Sequence, residues 1–121
     1  MFELEAPFKN DKISLKCIKL GDDYQVIISG GDEHIGAVAL GVCYDKVRKR
    51  SNISQVSVYG HKEDLLVRNI AALLSKQLAG TVAVTAGIHF DNLSSDEIDK
   101  ILEIVEDLTI RLIEQIQRRP T

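Results

Sequence analysis

Three short segments place a histidine beside glycine and acidic residues: Gly30-Gly31-Asp32-Glu33-His34-Ile35-Gly36, Gly60-His61-Lys62-Glu63-Asp64 and Ala86-Gly87-Ile88-His89-Phe90-Asp91. An imidazole changes charge near neutral pH, ligates metals and both donates and accepts hydrogen bonds. His34, His61 and His89 together with Asp91 therefore have the chemistry for an acid–base cluster or a metal site. None of the three has a local ligand pattern such as two histidines at i and i+4, and solvated loop histidines are common, so a metal site is not the expectation. No Ser or Cys stands in a recognisable nucleophile signature. Gly60-His61-Lys62 falls where a strand pattern gives way to a helix pattern, and free N–H groups at a helix start favour an anion, to which Lys62 would add a charge. Glu63 and Asp64 suit the helix dipole but repel an anion, so taken alone a plain helix start is the commoner explanation. The loop of residues 46–51 carries four of the fifteen basic residues. It is suited to a phosphate or an acidic partner, although a solvated hairpin whose charge blocks edge pairing is the more frequent case. There is no P-loop, and Gly30-Gly31 lacks the third glycine and the βαβ setting of a dinucleotide fingerprint.

Bulk properties narrow the class. The 121 residues suit one domain spanning 1–121, and 45% hydrophobic with 27% charged residues is the balance of a globular chain. A net charge of −3 argues against a broad nucleic-acid footprint. The N-terminus lacks the basic and apolar regions of a signal peptide, and no apolar run is long enough to span a bilayer. Cys17 and Cys43 lie far apart in strand-like stretches, which reads as free thiols in a reducing cytoplasm.

The elements that must position the histidines follow from periodicity. The first sixty residues alternate with period two: Phe2, Leu4, Ala6 and Phe8; then Ile13, Leu15 and Cys17; then Tyr24, Val26 and Ile28. That pattern predicts an antiparallel meander open to water on one side. Residues 35–44 are more uniformly apolar and predict a central strand. Ile53, Val56 and Val58 are expected core contacts of a fifth strand, with a bulge between the first two. Leu66, Ile70, Leu73, Leu74 and Leu78 recur at helical spacing, and Gly80 is the expected stop. Residues 81–90 are apolar on both faces and predict a central strand covered by helices. Ser94 and Glu97 have capping-box spacing, flanked by Leu93 and Ile98 as a hydrophobic staple. The helix they open runs to about residue 118 with a stripe wider than one sheet face requires. Either it is buried on two sides within the monomer or it also packs on another subunit as a homodimer. The predicted fold is α+β: a mainly antiparallel sheet of about six strands with two helices on one face, in the order β-β-β-β-β-α-β-α.

The glycine-pair turn leading into residues 34–40, the Gly60-His61-Lys62-Glu63-Asp64 helix opening and the segment 86–94 together resemble the LpdD-like family of prenylated-flavin chaperones, over about residues 24–106. That resemblance implies a fold similar to small proteasome-assembly chaperones, which work as dimers. It also implies a non-catalytic cytoplasmic protein that binds or delivers prenylated FMN to a UbiD-like decarboxylase. On this reading His34, His61, Lys62, His89 and Asp91 contact the cofactor, while Gly31, Gly60 and Gly87 keep the backbone open. Phe90, Tyr44 and Tyr59 are the aromatic residues near the motifs. Two alternatives stand beside it: an assembly chaperone with no small ligand, and a small His-based or metal-dependent enzyme.

Overall fold

The computed structural model describes residues 1–58 and 63–118. Six strands and two helices follow in the expected order: β1 (Phe2–Phe8), β2 (Asp11–Leu20), β3 (Asp23–Gly31), β4 (Ala37–Asp45), β5 (Arg50–Ser57), α1 (Glu63–Leu78), β6 (Thr81–His89) and α2 (Ser95–Arg118). The fold class is α+β, as the patterning predicts. Among the described residues no helix is long and apolar enough to cross a membrane.

The meander is shorter than expected. β1, β2 and β3 pair antiparallel in turn, but β4 does not continue on β3. β6 lies between them, parallel to β3 and antiparallel to β4, giving the order β1-β2-β3-β6-β4-β5. Period-two patterning fixes which face a strand buries and not which neighbour it takes, so the interposed strand left no mark in the first sixty residues.

Both helices pack on one face. Ile13, Leu15 and Cys17 of β2, Val26 and Ile28 of β3, Ala37 and Ala39 of β4, and Val82, Val84 and Ala86 of β6 form the floor of the core. Leu66, Val67, Ile70 and Leu74 of α1 close it over β4, β5 and β6. Ile101, Ile104, Val105, Leu108, Leu112 and Ile113 of α2 complete it over β1 and β2. The α2 stripe is wide largely because α2 touches the sheet and α1 at once: Ile104 and Ile113 are buried within the chain, while Ile110, the third residue that widens the stripe, is exposed. β6 is central, but its second face, Thr81, Ala83 and Thr85, is half-buried and carries no helix. Val56 likewise points to that open face, 72% exposed, and Val58 is also exposed, so neither is a core residue. The pairing of β5 is regular from Ser51 to Ser57, and the irregularity falls on β4 between Cys43 and Asp45.

α1 ends one residue earlier than the glycine suggests. Ala79 takes the left-handed conformation (φ 52°) and the Gly80 N–H donates to the Ser75 carbonyl at 3.3 Å. That is the Schellman arrangement with alanine where glycine is usual.

Burial of Cys17 beneath α2 raises its thiol to about 11, and burial first, then the neighbouring Cys17, raises Tyr24. Above pH ~9 the unfolded chain gives up the Cys17 proton while the folded chain keeps it, so folding binds the extra proton. Stability is therefore complete below that pH and falls as pH rises toward 11. Urea titrations across this range should show the fall, and Cys17→Ala should reduce its slope; an unchanged slope would contradict the assignment.

Candidate functional site

The parallel pairing of β3 with β6 creates the site. It brings Gly31, at the end of β3, beside His89, at the end of β6. To reach β4, the chain must then pass over the end of β6. Residues 32–36 make that crossing, fastened by Asp32 N–H to the His89 carbonyl (3.0 Å) and Gly36 N–H to the Ala86 carbonyl (2.9 Å). The crossing is so close that a Cβ on Gly87 would lie 1.5 Å from the His34 carbonyl oxygen. Gly31 (φ 65°) turns the chain into it, and a Cβ there would sit 2.0 Å from the His89 carbonyl oxygen. These contacts give the physical reason for glycine at both positions.

The crossing delivers His34 to the start of α1. Its Nδ1 lies 3.1 Å from the Asp32 carbonyl and its Nε2 3.5 Å from Glu63 Oε1. A carbonyl only accepts, so Nδ1 carries the proton, and Nε2 pairs with Glu63 as an ion pair when the ring is doubly protonated. The Glu63 carboxylate also accepts the Ile88 N–H at 3.4 Å. Glu63 is 9% exposed and is the buried charged residue among the described residues; the buried Ser75 and Thr109 are satisfied by Ser51 and by helix carbonyls, while Oδ1 of the half-buried Asp64 has no hydrogen-bond partner among those residues. A buried carboxylate is costly unless held by donors or positive potential. Here it is the first residue of α1, where the helix dipole favours it. Gly36 lies against it, its Cβ position 3.0 Å from the carboxyl carbon.

Glu63, His34 and His89 form the polar rim of a cavity of about 390 Å³. Its wall is apolar: Leu66 from α1, Ile88 and Phe90 from β6 and its end, and Leu93, Ile98, Ile101 and Leu102 from the opening of α2. The capping box sets that wall in place. Ser94 Oγ accepts the Glu97 N–H at 3.1 Å and the Glu97 carboxylate accepts the Ser94 N–H at 3.0 Å. The Ser94 N–H, and then Lys9 at 3.0 Å, hold Glu97 below the usual carboxylate range. Leu93 and Ile98, expected as a staple, both line the cavity.

A second hollow of about 340 Å³ adjoins the first through His89 and Phe90 and reaches Lys9, Asn10, Asp11, Gly31, Asp32 and Asp91. His89 Nε2 stands 3.1 Å from Asp91 Oδ1 here, and Phe90 meets Phe8 edge-on with centroids 4.9 Å apart. Of the residues singled out from the sequence, Gly31, His34, Gly87, His89 and Asp91 thus gather at one end of the sheet. Gly60, His61, Lys62 and Tyr59 lie outside the described residues. Tyr44, near the far end of β4, and the basic loop at residues 46–49 that follows it lie at the other end of that nine-residue strand, about 25–30 Å away. Neither can serve this cavity. Glu63 is the functional candidate that sequence reasoning misses: in the sequence it carries only a helix-start signature, and nothing local reveals that the crossing loop buries it. No group of three His, Cys, Asp or Glu side chains among the described residues is arranged to hold a metal ion.

Gly87→Ala should push the crossing loop off β6. The expected cost is ~1–3 kcal/mol, the usual range for overpacking, read by urea denaturation, with altered His34 imidazole resonances by NMR. A variant with parent stability and parent His34 shifts would refute the close crossing.

Comparison with known proteins agrees with this geometry. The profile of the prenylated flavin chaperone LpdD-like domain matches residues 8–117. Protein LpdD of Lactiplantibacillus plantarum is 26% identical over 102 residues, which cover 84% of this chain and 74% of that protein. A chain from the crystal structure of a chaperone complex for yeast 20S proteasome assembly shares the fold, with a TM-score of 0.57 at 11% identity over 95% of this chain and 98% of that one. With a match spanning nearly its whole length, and the glycine and histidine segments gathered around one cavity, the chain belongs to the prenylated flavin chaperone LpdD-like family.

Proposed function

We propose that this protein is a non-catalytic accessory chaperone that holds prenylated FMN, or FMN, in the cavity at the end of the sheet and passes it to a UbiD-like decarboxylase in the cytoplasm. The observation that carries the reading is the cavity's make-up: an apolar wall of seven side chains and a rim of one carboxylate and two imidazoles. Such a slot with few, placed polar groups is what a flat, largely apolar heteroaromatic ring requires. The volume of about 390 Å³ is within the ~300–1,000 Å³ typical of ligand pockets. Glu63 and the imidazoles of His34 and His89 would meet the ring's polar edge, while Leu66, Ile101 and Leu102 would receive its apolar surface and prenyl carbons. Phe90 is the aromatic residue placed beside it. Lys9 pairs with Glu97 and Lys12 with Glu5; Lys62, which the family resemblance points to as a cofactor contact, lies outside the described residues.

The fold favours a second reading, an assembly chaperone that engages protein surfaces without a small ligand. Flavin titration separates the two. Oxidised FMN should have its fluorescence quenched saturably by the parent protein. His34→Ala and His89→Ala, each checked for a parent-like fold by circular dichroism, should bind at least about tenfold more weakly, the loss of roughly one charge-assisted hydrogen bond. Folded variants that bind FMN as the parent does would remove these histidines from the site, and a parent that binds neither FMN nor its prenylated form would leave the assembly reading.

A further inference from the structure

Building on the cofactor reading above, we propose that the cavity rim recognises a neutral cis-amide edge, with Glu63 accepting an N–H and His34 donating to the carbonyl beside it. On a flavin this is the imide edge of the pyrimidine ring. Glu63 is poorly met by the protein itself. Its side chain is 10% exposed, yet among the described residues its donors are the Ile88 N–H at 3.4 Å and His34 Nε2 at 3.5 Å. A carboxylate can accept about four hydrogen bonds, and charge-assisted bonds from nitrogen close to ~2.7–2.9 Å. Both contacts are long, and a buried carboxylate held so loosely is costly. Glu63 also lines the cavity, so a ligand there can supply the donor it lacks.

The neighbours decide what kind of donor fits. A ligand carboxylate or phosphate would be repelled by Glu63. An ammonium or guanidinium would satisfy Glu63 but would meet the His34 ring, which is positive in its ion-paired state, and would lose its water to a wall of seven apolar side chains. A neutral edge with a donor and an acceptor side by side serves both groups, its N–H on the carboxylate and its C=O on the Nε2–H of His34. The Asp32 carbonyl takes the Nδ1–H, which turns Nε2 toward Glu63. Lactams and imides carry such an edge. Oxidised isoalloxazine has a single N–H, at N3 between the C2 and C4 carbonyls, so the pyrimidine end is the part that matches the rim. The rest of the ring then lies against the apolar wall that Leu93, Ile98, Ile101 and Leu102 build at the opening of α2.

Lumiflavin keeps the ring without the phosphate chain, and 3-methyllumiflavin replaces its N–H with a methyl group. Fluorescence titration of the whole chain should show lumiflavin binding at least about tenfold more tightly than 3-methyllumiflavin, the loss of roughly one charge-assisted hydrogen bond. Glu63→Ala, checked for folding by circular dichroism, should bind the two ligands alike. A Glu63 that only holds the start of α1 in place would instead weaken both and leave their ratio unchanged, which would overturn the assignment. Glu63→Gln keeps the shape and an acceptor oxygen without the charge, and its preference should fall between those of parent and Glu63→Ala. Equal binding of the two lumiflavins by the parent, or binding of FMN without lumiflavin, would overturn the edge assignment and leave the cofactor reading standing. Binding of neither FMN nor lumiflavin would remove both.

Discussion

The passage of residues 32–36 over the end of β6 is the constraint on which the rest of the molecule depends. It exists because β6 occupies the place beside β3 that β4 would take in a simple meander. The chain leaving β3 must step across one strand, and it does so in direct contact with Gly87. The step carries His34 to the start of α1 and brings Gly36 against the Glu63 carboxyl group. Two backbone hydrogen bonds, from Asp32 and Gly36, hold the segment at both ends. A side chain at Gly87 or Gly31 would occupy space that the crossing backbone already fills.

From this constraint the electrostatics follow. A carboxylate as buried as Glu63 would be expelled from an apolar interior unless donors met it. The helix start, the Ile88 N–H and His34 meet it together, and each is in place only because β6 lies in the middle of the sheet. The apolar wall opposite is set by a separate device, the reciprocal Ser94 and Glu97 capping bonds that fix where α2 begins. The cavity is thus the gap between two independently anchored helix starts, polar on the α1 side and apolar on the α2 side. That asymmetry suits a ligand with one polar edge and one greasy face.

Much of this was legible in the sequence, for reasons that differ by element. The alternation in β1, β2 and β3, the helical spacing of Leu66, Ile70 and Leu74, and the Ser94–Glu97 box are local signals, and each element forms where its signal lies. The convergence of the segments around His34 and His89 was readable as motifs of one family but not as geometry. What stayed hidden is non-local. The interposition of β6 has no period of its own, so the alternation alone predicts a longer meander than the β1-β2-β3 one that forms. Val56 reads as a core residue in the sequence, since an apolar residue on a strand carries no local mark of which face it occupies, and here it lies on the open face, 72% exposed. Most of the breadth of the α2 stripe records contact with both the sheet and α1, while Leu102 and Ile110 stay exposed. Glu63 carries an ordinary helix-start signature, and only the distant loop that covers it makes it a buried charge.

The measurement that tests the central claim most directly is the absorption spectrum and intact-ligand mass of the protein, purified without oxygen after co-expression with a flavin prenyltransferase. Retention of one prenylated flavin per chain by the parent, and its loss from a folded Glu63→Ala variant, is the result predicted for a cofactor held in this cavity. A colourless, ligand-free parent, or a Glu63→Ala variant that keeps the full flavin complement, would contradict it.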